Sequence, residues 1–479
     1  MTSVDERPVA EGGGGWDARP LLAAERGGFV ERHGLWDQAR YAAAGQLRRV
    51  IDEVGLELVR FSFADQHGVL HGKTLTRGAV PAALRSGVTA PSSLLLKDTA
   101  GRSAFPVFAA DVGVGVAGFS GAGDIVLVPD PTTFRVLPWA DRTGWVLCDL
   151  YFPDGSPVPF CTRGLLRGQL DRLADAGYGM SVGVELEFHV FRAETGPTSP
   201  GARLLHEEDL DRLDDVVSLL RRGLTHLDLP LRSIELEFGP SQLEITLQAA
   251  EARDAADHVL LARSAIRQLC RRHGYHATFM SRPAGTTSAS TGWHLHQSLR
   301  DRSTGQPVFD ARPELMAHYL AGLLAHAPAA AAFTTPTVNG YKRYLPFSLA
   351  PDRVVWGVDN KGAMVRVAGG DSGTRLENRS GEPAANPYLY IASQIVSGLD
   401  GLRRGLDPGP PAGSPYAAEA TPLPRSLGAA VDALEADPVF ADALGERVVA
   451  WYAHLKRDEF ARYLAHVSDW EQREYLNLF

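Results

Sequence analysis

The chain has 479 residues, which is enough for two or three domains or for one large catalytic domain with a smaller partner. Its hydrophobic fraction of 44% and charged fraction of 22% are typical of a soluble globular protein, and its formal charge of −9 argues against a general nucleic-acid-binding surface. The cysteines form no CxxC pair and the start of the chain lacks the pattern of a secretory signal. We therefore expect a cytoplasmic protein without a zinc site, a disulfide framework or a membrane segment.

The first part of the chain predicts a leader and a small β-rich domain. Residues 1–34 include the stretch EGGGGW and predict a flexible leader that cannot bury a core. Residues 36–55 have the apolar periodicity of a helix, and residues 56–65 alternate apolar and polar side chains as a strand does. Short strand patterns broken by glycine and proline follow, and they predict that the β-rich domain covers residues 35–137.

The second part, residues 138–479, alternates strand-like runs with helical patterns at 162–177, 209–224 and 252–274. Such alternation predicts a catalytic domain of the α/β or α+β class. The most apolar stretch, residues 314–333, carries two histidines and a proline, so we interpret it as a buried helix and not as a membrane span.

Four motifs in this second part combine acidic, imidazole and guanidinium groups, mostly at spacings of two residues. Side chains two residues apart on a strand project from the same face, so each motif concentrates such groups on one side of its strand. Oxygen ligands with one or two imidazoles suit Mg²⁺ or Mn²⁺, and arginine forks bind phosphate and carboxylate oxygens. The motif residues are Glu185 and Glu187; Glu237 and Glu244; His294 and His296; and Arg375, Glu377 and Arg379.

Each motif alone has a simpler interpretation. An acidic pair is often a solvated strand face, a histidine pair is often satisfied locally, and the arginine-rich motif could be a surface ion-pair ladder that contributes little stability. The four motifs nevertheless lie in order between residues 185 and 379, each within apolar strand sequence, where an unpaired charge is costly. We therefore predict that they converge on one metal-binding site.

Together with NGYKRYLPFSLAP and PAANPYLY, these motifs resemble those of the glutamine synthetase family, from about residue 35 to the C-terminus. The resemblance implies an α+β protein with an N-terminal β-grasp domain at 35–137 and a catalytic domain at 138–479, the latter an open barrel of antiparallel strands with helices outside. It also implies an ATP-dependent ligase that forms an amide through a γ-glutamyl phosphate, with two or three Mg²⁺ or Mn²⁺ ions per site. Members of the family form stacked rings, so the resemblance implies a dodecamer of two hexameric rings.

The resemblance also implies roles for individual residues. Glu187, Glu237 and Glu244 would bind the ion nearest the amino acid, and Glu185, His294 and Glu377 would bind the ion between the ATP phosphates. His296, Ser298 and Arg375 would contact the nucleotide or its phosphates. Arg343 and Arg379 would bind carboxylates of the amino acid, Arg366 would meet the transferring phosphoryl group, and Lys361 stands near that group where an arginine is usual.

Two departures from the family pattern concern the amine. The family captures and deprotonates ammonium with an aspartate contributed across the subunit interface and with a glutamate on a flap, and the aligned positions here hold Ala90 and Leu349. Without these carboxylates, ammonia is a poor substrate. A cationic polyamine would need carboxylates around it, whereas a neutral arylamine prefers the apolar pocket that Leu349 and Phe347 suit. We predict an apolar or aromatic amine.

Other departures leave alternatives open. Ala289 and Ser290 replace an Asn-Gly that usually contacts the amino-acid substrate, so the acid is glutamate or a similar acid. The protein could also be a γ-glutamylpolyamine synthetase, or a catalytically retired scaffold or regulator, which Ala90, Leu349 and Lys361 would suit. The six retained metal ligands argue against the scaffold, because charged groups converging on one cavity are costly without the ion.

Overall fold

The computed structural model describes residues 27–192, 196–198, 201, 203–283, 289–370 and 373–479, which form two β-sheets with helices packed around them. Residues 1–26 of the predicted leader lie outside this described part. The leader was expected to reach residue 34, but Gly28–Arg32 form a short helix, α1, in which Phe29 and Val30 are buried. The folded domain therefore begins before residue 35, because these two apolar side chains have a core to pack against.

Six strands form the first sheet: β1 Leu58–Ala64, β2 Leu70–Thr76, β3 Val88–Pro91, β4 Asp124–Pro129, β5 Arg135–Val136 and β6 Thr143–Tyr151. Their order is β2, β1, β6, β4, β3, with β5 also paired to β6. β6 lies in the centre, parallel to β1 and antiparallel to β4. The boundary predicted at residue 137 falls between β5 and β6, and β6 pairs with β1 and β4 of this sheet; the domain bounds stay a prediction.

Two further helices accompany the first sheet, α2 Gln38–Val54 and α3 Val80–Ser86. Helix α2 begins at Asp37, whose side chain accepts a hydrogen bond from the backbone N–H of Arg40, and it ends at Gly55 in the left-handed conformation. These caps explain why α2 agrees with the helix predicted at 36–55. The β-grasp description of this domain stays a prediction.

Nine strands form the second sheet: β7 Tyr178–Arg192, β8 Gly196–Pro197, β9 Leu231–Leu236, β10 Gln242–Glu251, β11 Tyr275–Thr278, β12 Trp293–Asp301, β13 Trp356–Val358, β14 Val365–Ala368 and β15 Arg375–Asn378. The main order is β13, β14, β15, β12, β7, β10, β9, and β8 and β11 also pair with β7. Every described pairing is antiparallel except β13 with β14. This sheet, with helices outside it, agrees with the predicted open barrel and the α+β class.

Eleven helices of the described chain belong to this second part: α4 Thr162–Asp175, α5 Glu207–Asp211, α6 Asp214–His226, α7 Ala252–Arg272, α8 Pro313–Ala325, α9 Ala327–Thr334, α10 Pro387–Arg404, α11 Leu427–Ala436, α12 Pro438–Leu444, α13 Glu446–Leu464 and α14 Asp469–Tyr475. The helix predicted at 209–224 is divided into α5 and α6. Helix α10 is buried along most of its length and forms the centre of the helical layer.

The buried helix predicted at 314–333 is two helices, α8 and α9, bent by 74°. The bend falls at His326, and Pro328 in the first turn of α9 has no backbone N–H to continue the hydrogen bonding of α8. Within the described residues, no single helix is long and apolar enough to cross a membrane, and α8 and α9 reach that length and composition only as a pair.

A buried charge cluster joins the two sheets. Arg163 on α4 lies 2.9 Å from Asp130 Oδ2, 3.2 Å from Asp149 Oδ1 on β6 and 2.9 Å from Asp257 Oδ2 on α7. Tyr388 Oη on α10 donates a further hydrogen bond to Asp257 at 2.6 Å. We call Arg163 and its three aspartates the Arg163 cluster, and its contacts fix the first sheet against the helices that support the second.

Candidate active site

The strand register brings the predicted metal ligands to one face of the second sheet. Glu187 on β7 stands directly opposite Glu244 on β10, and Glu185 on β7 stands directly opposite His294 on β12. Because residues two apart on β7 share a face, both carboxylates of the first acidic motif point to the same side. The period-two prediction from the sequence therefore holds where the strands are regular.

Glu185, His294 and Glu377 form one group that could hold a metal ion, with one ligand atom from each within 4.8 Å of the others. His294 Nδ1 is 3.2 Å from Glu185 Oε2 and 3.7 Å from Glu377 Oε1. Burial and the charge of Arg379 lower the pKa of His294 to about 4, so its imidazole is neutral and can act as a ligand. These are the residues that the family resemblance assigns to the ion between the ATP phosphates.

Glu187, Glu244 and His294 form a second such group. His294 Nε2 is 3.7 Å from Glu187 Oε1. Burial and neighbouring carboxylates raise the pKa of Glu187 to about 8 and that of Glu244 to about 10. A divalent cation between the two carboxylates would replace this repulsion with attraction. Since His294 belongs to both groups, the two candidate ion sites are neighbours.

Glu237 differs from the other predicted ligands. It lies one residue after the end of β9, and its carboxylate accepts a hydrogen bond from the backbone N–H of Phe238 at 3.3 Å. His294, and not Glu237, is the third member of the close group with Glu187 and Glu244. The charge of Glu237 nevertheless raises the pKa of Glu187, so the two carboxylates are near each other. The role of Glu237 as a ligand stays a prediction.

Two arginines contact Glu377. Arg366 Nε donates to its Oε2, and Arg379 Nη1 donates to its Oε1 at 2.5 Å. Arg366 on β14 also lies 3.2 Å from Asp359 Oδ1. Burial alone would raise the pKa of Glu377, but Arg379 and the other nearby cations hold it below its usual value. The carboxylate is therefore charged, as a metal ligand has to be.

The residues predicted to contact the nucleotide lie beside the first group. His296 Nε2 is 2.8 Å from Glu185 Oε1, and Arg375 Nε donates to His296 Nδ1 at 3.2 Å. Burial alone would raise the pKa of Glu185, but its hydrogen bonds with His294 and His296 hold it well below its usual value. Ser298 follows two residues along β12 and projects from the same face as His296.

Arg343 and Arg379 lie beside the two metal groups. Arg343 is 2% exposed, its Nη1 donates to the carbonyl of Ser380 at 2.8 Å, and its buried Nε has no partner in the described part of the chain. A buried donor without a partner is costly, so this arginine fits a substrate carboxylate. Arg379 Nε donates to the carbonyl of Lys361 at 2.9 Å, and its Nη2 donates to the carbonyl of Leu349 at 3.5 Å.

Three predicted residues are placed less directly. The carbonyl of Ser290 accepts a hydrogen bond from Gln242 Nε2 at 3.4 Å, which is a backbone contact. The Lys361 side chain is exposed; burial raises the pKa of Glu237, and the charge of Lys361 opposes part of that rise, so the two side chains are near each other. Ala90 lies on β3 in the first sheet, where it is buried opposite Ile125. The chain does not bring Ala90 into its own metal groups, so the contribution of Ala90 across a subunit interface stays a prediction.

Two residues that the sequence reasoning missed support Glu187. Gln242 Nε2 donates to Glu187 Oε2 at 2.7 Å, and the backbone N–H of Gly292 donates to the same oxygen at 2.9 Å. A Cβ on Gly292 would lie 2.9 Å from Arg343 Nη2 and 3.0 Å from His294 Nε2, so a side chain there would crowd the site. The signal for Gln242 was its position two residues before Glu244, on the same strand face.

These contacts define what the site can do. Two adjacent oxygen-rich groups that share one imidazole fit hard divalent cations such as Mg²⁺ or Mn²⁺ better than a thiolate-binding metal. The surrounding arginines fit phosphate and carboxylate oxygens. Such an arrangement suits phosphoryl transfer, in which positioning and charge stabilisation supply most of the catalysis.

Comparison with known proteins identifies relatives along nearly the whole chain. The family model for the glutamine synthetase catalytic domain matches residues 159–475. A gamma-glutamylanilide synthase from an Acinetobacter species is 43% identical over 95% of this chain and 100% of its own length. A glutamine synthetase from Halobacterium salinarum is 33% identical over 92% of this chain and 99% of its own length. The solved structure of GmaS without ligand matches with a TM-score of 0.78 at 30% identity, covering 90% of this chain and 99% of that chain.

Proposed function

Since the chain belongs to the glutamine synthetase family of ATP-dependent C–N ligases, we propose that it joins the γ-carboxylate of glutamate to an apolar or aromatic amine instead of ammonia. The observation that carries the ligase chemistry is the pair of candidate ion sites that share His294, bordered by the two arginines on Glu377. The most specific support for the amine is the 43% identity to a gamma-glutamylanilide synthase, against 33% to a glutamine synthetase.

The geometry supports the proposed metal ligands and nucleotide contacts. Mg²⁺ or Mn²⁺, at two or three ions per site, would neutralise charge on the ATP phosphates and on the transferring phosphoryl group. Glu185, His294 and Glu377 would hold the ion on the phosphate side. Glu187 and Glu244, together with Glu237, would hold the ion nearest the amino acid. His296, Ser298 and Arg375 would contact the nucleotide.

The arginines position the reacting groups. Arg343, with its unpartnered buried Nε, would bind a carboxylate of the amino acid together with Arg379. The γ-carboxylate of glutamate would attack the terminal phosphorus of ATP. Arg366 would stabilise the charge on the phosphoryl group during this attack, together with Lys361 on the surface side. ADP leaves, and the amine then attacks the acyl carbon, loses a proton and displaces phosphate to give the amide.

The choice of amine rests on the segment that contains Phe347 and Leu349. Leu349 is 50% exposed and Phe347 is 83% exposed, and both stand on the segment that connects Arg343 to β13. An amine that is neutral at pH 7 attacks without prior removal of a proton, so it does not need the carboxylates that an ammonium ion needs. Apolar side chains at this point would favour such an amine over a cation.

The assembly and the compartment are part of the same proposal. Large apolar side chains are exposed near the C-terminus, which supports burial against other copies in a dodecamer of two hexameric rings: Leu464, Val467, Trp470, Leu476, Leu478 and Phe479. The free, buried cysteines Cys148, Cys161 and Cys270 fit a reducing cytoplasm.

Two alternatives make different predictions. A γ-glutamylpolyamine synthetase would release more ADP with putrescine than with aniline. A retired scaffold would not bind nucleotide, and isothermal titration with ATP and Mg²⁺ or Mn²⁺ would then give no heat of binding.

The acyl phosphate can be tested with labelled substrate. Glutamate carrying ¹⁸O in its γ-carboxylate is incubated with ATP, Mg²⁺ and aniline, and the products are analysed by mass spectrometry. We expect one ¹⁸O atom in the released phosphate and a new anilide with the mass of γ-glutamylanilide. Unlabelled phosphate, or ADP release without an anilide, would contradict the proposal.

A further inference from the structure

The flap, which we define as residues 344–352, carries two apolar side chains on a strained backbone. Phe347 has a φ of 60° and Leu349 a φ of 62°, and both side chains project toward solvent within the single chain. The left-handed region is unfavourable for a residue with a Cβ. Such strain persists only where surrounding contacts impose it, and it concentrates at ligand-binding segments.

A second segment, residues 406–424, packs against the flap; we call it the strap. The backbone N–H of Leu423 donates to the carbonyl of Asp352 at 3.0 Å, and the backbone N–H of Ala412 donates to the carbonyl of Trp356 at 2.8 Å. The strap thus runs along the end of the flap and the strand that follows it.

Tyr416 on the strap contacts the middle of the flap through its side chain. Its ring centroid lies 5.0 Å from that of Phe347 at an interplanar angle of 44°, and its Oη donates to the carbonyl of Ala350 at 3.1 Å. On its other side, a Cβ added to Gly362 would come within 3.1 Å of a Tyr416 ring carbon. The ring therefore fills the space between the flap and the turn before β14.

The flap is also tied to the metal groups. Arg379 donates through Nη2 to the carbonyl of Leu349 and through Nη1 to Glu377. Leu349 is thus two hydrogen-bonded steps from a candidate metal ligand, with the rings of Phe347 and Tyr416 beside it. An amine that approaches the acyl group past Leu349 would meet these rings.

On the basis of the proposed function, we propose that Tyr416 is a specificity-determining residue that forms, with Phe347 and Leu349, the wall that receives the ring of an aromatic amine. The phenol ring supplies aromatic contact, and it supports the strained flap that carries the other two side chains. Aromatic rings prefer the tilted and offset contacts that this pair of rings can extend to a third ring.

The test compares two amines in one assay. Initial rates of ADP release are measured with ATP, glutamate and either aniline or ethylamine, for the wild type and for Tyr416→Ala, Tyr416→Phe and Tyr178→Ala. Tyr178 is the matched control because it lies seven residues before Glu185 on β7, about 23 Å away at ~3.3 Å per residue.

We expect Tyr416→Ala to lower kcat/KM for aniline by roughly 5- to 20-fold, mainly through KM, and to change kcat/KM for ethylamine by less than about 2-fold. Tyr416→Phe keeps the ring and should retain the preference for aniline. The KM for ATP and glutamate should change by less than about 2-fold in every variant, because none of the residues proposed to bind these substrates lies in the strap.

Equal losses for both amines in Tyr416→Ala, or the same loss in Tyr416→Phe as in Tyr416→Ala, would overturn the inference. If Tyr416→Ala does not fold, Phe347→Ala decides the question by the same ratio, because its exposed side chain can be removed without opening the core. A wild type that does not turn over aniline would contradict the proposed function itself, and that result is visible before any variant is compared.

Discussion

Glu187 and Glu244 stand directly opposite each other on β7 and β10, and both carboxyl groups are buried. Burial and the charge of Glu237 raise the pKa of Glu187 to about 8, and burial and the charges of Glu187 and other carboxylates raise the pKa of Glu244 to about 10. The pair is therefore unfavourable as two anions in the metal-free protein and becomes favourable when a cation binds between them.

This pair predicts how metal-free protein responds to pH. In the folded state the raised pKa keeps a proton that the unfolded chain has already released, so the stability contributed by these groups is complete below pH 4.5 and decreases as the pH rises toward 8. In the presence of EDTA we expect the Tm to fall between pH 5 and pH 8. Mn²⁺ should reverse most of that fall, as differential scanning fluorimetry can measure.

Glu244→Gln should change both parts of this response. Without metal at pH 8 we expect a Tm about 2 °C or more above that of the wild type, because the uncharged amide removes the repulsion. The stabilisation by Mn²⁺ should be lost. Glu235→Gln is the matched control, because Glu235 stands opposite Glu244 on its other side but belongs to neither close metal group. Equal behaviour of the two variants would contradict the assignment of Glu244.

The Arg163 cluster, which is outside the two metal groups, predicts a large effect of one substitution on the free energy of unfolding. Arg163→Met leaves Asp130, Asp149 and Asp257 buried without their common cation, so we expect a loss of about 3–5 kcal/mol in the free energy of unfolding. Arg167→Met removes a more exposed partner of Asp149 alone and should cost about 1 kcal/mol or less. Urea unfolding followed by circular dichroism, at fixed protein concentration, compares the two. Similar midpoints would show that the cluster does not hold the sheets together.

His326 predicts a second pH dependence, because it is a titratable base held between two carboxylates. It bridges Asp400 Oδ2 at 2.8 Å and Asp437 Oδ2 at 2.6 Å, and these contacts raise its pKa above 6.5 although burial alone would lower it. A raised histidine pKa contributes stability that is complete below 6.5 and is lost as the pH rises through the folded value.

The Tm difference between wild type and His326→Gln should therefore be largest near pH 6 and should shrink toward pH 9. Below pH 4 the bridge should weaken again, because Asp400, whose pKa is held below 3.8, becomes protonated. His318→Gln on α8 is the control, because the hydrogen bond described for the His318 ring goes to the backbone carbonyl of Leu406 and not to a carboxylate. A constant difference across the pH range would indicate that His326 is not charged in the bridge.

The amine preference predicts an effect at the flap. Leu349→Glu places a carboxylate where a cation could be captured and deprotonated, so kcat/KM for ammonia should rise by about 10-fold or more and that for aniline should fall by a similar factor. Leu345→Glu adds the same charge to another exposed position of the flap and should leave the ratio near its wild-type value. No change in the ratio for Leu349→Glu would remove Leu349 from the amine pocket.

The sequence was most informative where the strands are regular. Alternation alone predicted that Glu185 and Glu187 share a face, and the register of β7 with β12 and β10 then placed His294 and Glu244 opposite them. The turn after β9, in which Ser241 has a φ of 59°, interrupts the alternation of side chains between the two faces of the sheet. The sequence spacing of Glu237 and Glu244 therefore could not predict how the two carboxylates are placed relative to each other.

Features that depend on long-range contact could not be predicted from local patterns. β6 reaches the first sheet through parallel pairing with β1, which no short window of sequence encodes. The contact of Tyr416 with Phe347 likewise joins residues from separate segments. Gln242 could have been predicted from the sequence, since it precedes Glu244 by two residues on the same strand face. A neutral amide is, however, a weaker sequence signal for a metal site than a charged ligand.

We propose that this ligase uses a neutral apolar or aromatic amine, and a direct comparison of amines tests that preference. ADP release by the wild type is measured with ATP, Mg²⁺ and glutamate in the presence of aniline, ammonia or putrescine at pH 7.5. We predict a kcat/KM for aniline at least about 10-fold above that for either cationic amine. A higher kcat/KM for ammonia or for putrescine would contradict the account.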